Sequence, residues 1–479
     1  MSIVGHWRGA VGIAGLLFAV GASGCSGCSA SGTMGSGGDA GPGGGDGGMG
    51  MDAMRPPPVD GALPTPDATA DAGGYCEGIG PPVLVGDTTG SMTDCAGSIA
   101  ARVFNNSVCT CTDLNVGGYF KTRSFHSITD PAEVGSGGPV GVNGTDTNVG
   151  YTDIGGTFVI AGATSLRFAG YLQAGGDFKA NGAVDSAGVV EIARDAWVHG
   201  NITAIGTVSV GRDLHQPAGA RVLSFSTDVG GSRVSGDFTV DPPCDCAPEH
   251  IVDIAAIVDR GMIDNDNASV PLDPSALASV VGLGVDITLP CGRFYLDSIG
   301  GVGDITLHVD GRTALFVGGD VNALGVLNVE IGPDGELDVF IKGNLLGIGL
   351  GSWGTRERPR STRLYVGGTS DVTIIGASGF VGNVYAPNAR ITAVGATTLY
   401  GSIFGRVIDM PGYLDVHYDR AILDAGDECP PPPGGCDMCS ASCGPSACIG
   451  GMCAPCASDA DCCAPLVCYP DGTCGSLII

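Results

Sequence analysis

Gly176-Asp177-Phe178, Arg194-Asp195-Ala196 and Arg212-Asp213-Leu214 follow one another at a step of 18 residues, and this stretch decides the fold. The same step carries Gly182 to Gly200, Val184 to Ile202, Gly188 to Gly206, Val190 to Val208 and Ile192 to Val210. Repeats near 20 residues mark a solenoid, in which one coil cannot bury its apolar side but a stack can. Working outward, short apolar alternations broken by Gly, Asn and Asp run from about Phe120 to Leu423, as in Leu307 and Val309, in Leu327, Val329 and Ile331, and in Leu337, Val339 and Ile341. Period two over short runs with glycine turns reads as β-strand. A step of 19 relates Val381-Gly382 to Tyr400-Gly401. A Gly/Val-rich sandwich is the competing arrangement, and agreement at several positions over three copies favours the coil. The expected fold class is therefore all-β: a parallel β-helix or solenoid with a small helical insertion and a C-terminal disulfide-rich module.

The insertion is placed near 244–283. Ile251, Ile254, Ala255, Val258 and Met262 have helical spacing, Pro248 suits an early helical turn, and Asp273-Pro274 with Gly282 reads as the start and stop of a second short helix.

Composition bounds the function. Of 479 residues, 84 are glycine and only 15% are charged, with 50 acidic residues against 22 basic and a net charge of −28. Nucleic acid is excluded as a partner, because its affinity depends on Lys and Arg neutralising phosphates. Docking on anionic lipid heads is disfavoured for the same reason.

The N-terminus reads as an export signal. His6 and Arg8 precede an apolar stretch, Val11 to Ala22, too short to span a bilayer. It ends in Ala22-Ser23-Gly24-Cys25, which resembles a bacterial lipobox with Ala22 in place of the usual Leu. The resemblance implies lipidation at Cys25, and Ser26 after it implies outer-membrane sorting. Residues 1–24 are then the signal peptide. Residues 25–75, rich in Gly, Asp and Pro, form a tether that cannot bury a core. The folded part is expected at 76–428, and 429–479 is a linker and cysteine-rich module.

Twenty cysteines behind an export signal point to an oxidising compartment. Ten of them, Cys436, Cys439, Cys443, Cys448, Cys453, Cys456, Cys462, Cys463, Cys468 and Cys474, lie within 39 residues. So small a segment needs covalent staples. Cys76, Cys95, Cys109, Cys111, Cys244, Cys246, Cys291 and Cys429 are expected to pair as well, which leaves Cys28 odd. Spacing gives no connectivity. Zinc at Cys436-x2-Cys439 and Cys453-x2-Cys456 is the alternative that a reducing compartment would favour.

Residues 364–422 contain Leu-Tyr-Val-Gly-Gly, Gly379-Phe-Val-Gly-Asn-Val-Tyr-Ala-Pro-Asn388, Leu399-Tyr-Gly-Ser-Ile-Phe-Gly405 and Val416-His417-Tyr418-Asp419. They resemble an uncharacterised β-solenoid domain of exported bacterial lipoproteins, adhesin-like and pilus-associated proteins. The coil pattern is also similar to that of bactofilins, and the spacing from Cys456 to Cys474 resembles Dickkopf N-terminal modules. These likenesses imply a surface-exposed structural role and bring no catalytic residues.

Chemistry-bearing motifs are sparse. Asp87-Thr88-Thr89-Gly90-Ser91-Met92 resembles the metal loop of von Willebrand A domains, but lacks the alternating β and α units behind it and reads as a turn. Asp264-Asn265-Asp266-Asn267 resembles the start of a calcium loop without its later ligands. Cys244, Cys246 and His250 could ligate a metal, but outside the cytosol disulfides are the favoured reading and no metal is expected. Asp415, His417 and Asp419 alternate on a strand opposite Leu414, Val416 and Tyr418, and could hold an ion or do acid–base work or simply be a solvated face. Asp177, Asp195 and Asp213 stack in register, as a row of glycosidase carboxylates would, or as turn residues would.

The expectation is a lipid-anchored, non-enzymatic surface protein of the bacterial outer membrane. It would act in adhesion or envelope structure, use no cofactor, and have envelope polysaccharide or other surface proteins as partners. The alternative is a carbohydrate-active or carbohydrate-binding β-helix.

Overall fold

The computed structural model describes residues 75–426, leaving out 79–82, 87–91, 96–98, 136, 164–165, 283, 347–350 and 376–379, and in the tail 447–449, 452–456, 466–468 and 474–476. The stretches expected to be the signal, the lipidation cysteine and the tether, and residues 87–91, lie outside the described residues. One coil shows how the sequence builds the rest. Phe178–Ala180, Val184–Ser186 and Val189–Ile192 are three short strands separated by turns. Phe178, Ala180, Val184, Ser186, Val190 and Ile192 point inward and are buried. The next coil repeats this in parallel register: Phe178 sits on Ala196, Val184 on Ile202, and Val190 on Val208. The 18-residue step is one full coil, and the 19-residue step is the register Val381 on Tyr400.

The fold is a parallel β-solenoid with three faces. The face built from the first strand of each coil is thirteen layers deep. Its spatial order is not the chain order. The layers run Gly292–Leu296, Arg312–Val317, Glu336–Ile341, Thr362–Val366, then parts of Val381–Val394 and Ala396–Met410. The next layer is Val108–Thr110, from the start of the chain, laid on Ile403 to Gly405. Val140–Val142, Phe158–Ile160 and the later coils follow, as far as Arg233–Ser235. The chain thus starts in the middle of the stack and builds to one end, which we call the proximal tract. It then returns along the outside and builds the distal tract from the other end back to the seam.

The corners explain the composition. Where strands end, backbone N–H groups would be orphaned, and an Asp or Asn one layer away accepts them. Asp195 Oδ1 accepts from Asp213 N at 3.0 Å, Asp213 Oδ1 from Ser232 N at 2.7 Å, Asp113 Oδ1 from Thr145 N at 3.0 Å, and Asp320 Oδ1 from Asn344 N at 2.7 Å. Some of the acidic residues are therefore turn scaffolding. The corner between the second and third faces is a column of glycines. A Cβ on Gly150 (φ +129°) would lie 2.0 Å from the Gly118 carbonyl oxygen, so no side chain fits.

The return segment, 236–284, packs along the first face. Phe238 meets His199, and further on the helix Ile254–Ile263 is capped by Asp253, whose carboxylate accepts from Ala256 N at 3.0 Å. Its Ile254, Ile257 and Val258 join a second core with Phe104, Phe316, Phe340, Tyr365, Tyr385 and Phe404, which the solenoid presents outward. The second helix read from Asp273-Pro274 is absent: Asp273 Oδ1 instead accepts from Ser275 N and Oγ, both at 2.8 Å, and the residues after it stay in turns. This local bond competes with helix nucleation. Three disulfides tie the circuit together: Cys76–Cys291, Cys109–Cys244 and Cys111–Cys246.

The two ends of the stack are finished differently. In the last coil Thr227 follows Val208 and Arg233 follows Leu214, so polar residues stand where a further coil would need apolar ones. At the other end Val270, Leu272, Leu277 and Val280 cover the core. Asn267 there brackets the edge strand, donating to Tyr295 O and accepting from Tyr295 N, both at 2.8 Å. An open edge would template further pairing; the cap covers the distal edge, and polar side chains in the last coil disfavour a further coil at the proximal one.

Candidate functional site

The third face carries an outward feature that the sequence reading did not identify. Tyr413, Tyr119, Tyr151 and Tyr171 occupy one register position on four successive strands. Their rings stack with centroids 4.8, 4.9 and 5.0 Å apart, nearly parallel. Each follows the corner glycine: Gly412-Tyr413, Gly118-Tyr119, Gly150-Tyr151 and Gly170-Tyr171. That repeated Gly-Tyr pair was the available signal. It escapes a fixed period because the hairpin strand Asp130–Gly135 lengthens one coil and Tyr413 comes from the far end of the chain.

Two residues further along the strands runs a second row, Asp415, Lys121, Asp153, Gln173 and Glu191. Lys121 Nζ is 3.0 Å from Asp153. Arg123 Nη2 donates to Asp415 Oδ2 at 3.1 Å, and the Tyr413 hydroxyl does so at 3.4 Å, with His417 Nε2 3.5 Å away. The Tyr171 hydroxyl is within reach of Glu191 at 2.5 Å and Gln173 at 3.1 Å. The hydroxyls of Tyr119 and Tyr151 have no hydrogen-bond partner among the described residues. A third row adds His417 stacked on Tyr400 at 4.6 Å, with Arg356 over the Tyr400 ring.

Burial, reinforced by nearby carboxylates, raises the phenols of Tyr151, Tyr171 and Tyr413 above their ordinary value. Burial alone would raise Asp415, but the His417 hydrogen bond and charge and the charge of Arg123 outweigh it and hold the carboxyl below the usual range. Asp415 is therefore a fixed anion, not a proton donor. Among the described residues, the carboxyls raised by burial are Asp146 and Asp338, both enclosed. Asp146 faces Asn148 inside a coil; Asp338 pairs with the buried guanidinium of Arg363 at 2.6 Å.

The residues singled out from sequence fall as follows. Asp415 and His417 share the outer face, but Asp419 turns away. It is fully buried, accepts from Ser127 N at 2.9 Å and Ala421 N at 3.1 Å, and caps the turn Arg420–Asp424. Asp177, Asp195 and Asp213 are turn braces. Asp195, Asp213 and His215 do bring three donor atoms within 4.8 Å. However, both aspartates already accept backbone N–H groups, and the Arg212 guanidinium lies 3.4 Å from Asp195 Oδ2, so the site has its cation. Asp266 accepts from Arg293 N at 2.8 Å, and Asn265 caps the preceding helix through Gly261 O, so Asp264 to Asn267 form an end cap. Cys244 and Cys246 are in disulfides, and His250 pairs with Asp245 at 2.6 Å.

In the tail Cys456 is buried and disulfide-bonded. Cys448 faces Cys453, and Cys468 faces Cys474, across short antiparallel pairs. Cys95 ends the strand Met92–Cys95. Cys25, Cys28, Cys429, Cys436, Cys439, Cys443, Cys462 and Cys463 lie outside the described residues.

A family described as a domain of unknown function (DUF7305) matches residues 245–425, the return segment from Asp245 onward together with the distal tract. No curated protein matches. Among solved structures, an ice-binding protein from an Antarctic bacterium, Flavobacteriaceae, aligns over 67% of this chain and 97% of that one, at 11% identity and a TM-score of 0.12. That likeness is too distant to carry an argument.

Proposed function

We propose that this is an exported, membrane-tethered surface protein that acts by display and adhesion and not by catalysis. The observation that carries the reading is the set of three long-range disulfides, which join the segment before the first coil, the first coil, the return segment and the distal tract. Such bonds persist in oxidising compartments and are rare in the cytosol. The lipobox-like Ala22-Ser23-Gly24-Cys25 and the tether behind it supply the anchor in this reading. A glycosidase needs a carboxylic acid raised in pKa next to its substrate. On the tyrosine face Asp415 is shifted the other way.

Cell fractionation with protease shaving of intact cells tests the placement, and labelling with a fatty-acid analogue tests the anchor. Wild-type chain is expected in the outer-membrane fraction, shaved from outside, with label lost in Cys25→Ser. A cytosolic chain with free thiols at Cys109 and Cys244 would overturn the reading.

A further inference from the structure

The tyrosine face has properties that point to one class of ligand. Four phenol rings cover one another's flat sides, so the face offers their edges and hydroxyls and not open π-surfaces. It therefore suits hydrogen bonding along a line more than stacking of single rings. The hydroxyls recur at the strand spacing, along the solenoid axis, over roughly 14–15 Å. The neighbouring row interleaves Lys121 with Asp415 and Asp153 and ends in Gln173 and Glu191, giving alternating donors and acceptors at the same pitch. We infer that this face binds an extended, neutral, β-linked polysaccharide laid parallel to the solenoid axis.

The pitch selects an extended ribbon, whose sugars recur on the order of one strand spacing, about 5 Å. A helical α-linked glucan would leave the row after a unit or two. The charge disfavours a polyanion: Lys121 and Arg123 pair with Asp153 and Asp415, Glu191 leaves a local negative excess, and the chain has a net charge of −28. Each hydroxyl contact is weak, and the repeat makes them additive through multivalency. The inference rests on the display reading, since only an exported protein meets such polymers.

Affinity electrophoresis of the purified full chain tests it, in native gels containing hydroxyethyl cellulose, soluble starch or polygalacturonate. Retardation is expected in hydroxyethyl cellulose, and it should survive high salt. Tyr151→Phe and Tyr171→Phe keep the ring ladder and remove hydroxyls; each should weaken retardation about two- to tenfold. Thr203→Ala, on the second face, should leave it unchanged. No retardation in hydroxyethyl cellulose, equal retardation in starch, retardation in polygalacturonate alone, or equal loss in Thr203→Ala would each overturn the inference. The assay is blind to location. A cytosolic chain that is retarded would sink the display reading alone, and a surface chain that is not retarded would sink the ligand alone.

Discussion

The return segment should act as a ruler that limits how many coils the proximal tract can have. Ser235 ends the last layer, and Cys244, nine residues later, is bonded to Cys109 in the first layer and has its Sγ 3.3 Å from Gly141 O in the second. Between them lie five to six layers of the first face, or ~24–29 Å at the usual strand spacing. Nine fully extended residues reach at most ~30–32 Å. The segment is therefore close to taut.

Inserting two copies of Ala193 to Val210 after Val210 keeps every later residue in register but raises the required span to ~33–39 Å. Something must give. Either Cys109–Cys244 and Cys111–Cys246 fail to form, or terminal layers peel away, at about 1.5–3 kcal/mol for each buried aliphatic uncovered. Non-reducing peptide mapping and thermal melts by circular dichroism read both outcomes. Adding four Gly/Ser residues after Gly236 supplies ~13 Å and should restore native disulfides and melting. Deleting Ala193 to Val210 shortens the span by one layer and should be tolerated. Deleting only Ile202 to Val210 breaks register and should aggregate. A two-coil insertion that forms both native disulfides and melts like the parent without the added linker would refute the ruler, and equal damage from the whole-coil and half-coil deletions would refute the register.

Two further outcomes follow from the same geometry. Cys109–Cys244 and Cys111–Cys246 each have a sequence separation of 135 residues and close nearly the same loop; converting either pair to Ala should barely move the denaturation midpoint, whereas converting both should cost about 5 kcal/mol on the chain-entropy account. Asp146 and Asn148 occupy inward positions that hold Leu114 and Val116 in one adjacent layer and Leu166 and Phe168 in the other. Asp146→Leu alone should destabilise by about 1–3 kcal/mol by orphaning Asn148, and the double change to Leu and Val should be neutral or stabilising. Burial raises the Asp146 carboxyl well above its ordinary value. The folded state thus holds that proton more tightly than the unfolded state. Its contribution is complete below about pH 4 and is lost as pH rises through the folded value. Melts from acid to neutral pH should show that loss in the parent and its absence in the double variant.

What was legible in the sequence was whatever repeats locally. Phe178, Ala196 and Leu214 fall on one another because the coil there has no insertion. The helix after Pro248 was legible from its apolar spacing, although Pro248 itself opens a separate short turn, Pro248–His250, and the helix begins after the Asp253 cap. The order of the stack was not. Nothing local in Val108-Cys109-Thr110 says that it pairs with Ile403 to Gly405, because that pairing is set by where the return segment ends and by the disulfides that hold it. Register alone also could not tell a turn brace from a catalytic row at Asp177, Asp195 and Asp213, since both need acids at the same corner. The neighbours decide it: each accepts a backbone N–H from the next layer.

The seam between the tracts bears directly on function. The family match ends at residue 425, just beyond the strand Tyr413–Asp419. That strand pairs on its far side with Tyr119 to Phe125 of the proximal tract. Without the proximal tract it would be an open edge of seven residues, a template for wrong pairing. The proximal tract covers that edge and contributes Tyr119, Tyr151 and Tyr171 to a row whose remaining member, Tyr413, belongs to the distal tract. Arg123 likewise comes from one tract and its partner Asp415 from the other. The face therefore exists only when both tracts are docked. The matched region alone holds one tyrosine of four, so a binding role for this face belongs to the assembled solenoid and cannot be inherited from the family match. Because the disulfides at Cys109 and Cys111 hold the first proximal layer to the return segment, the redox state that fixes the fold also fixes the face.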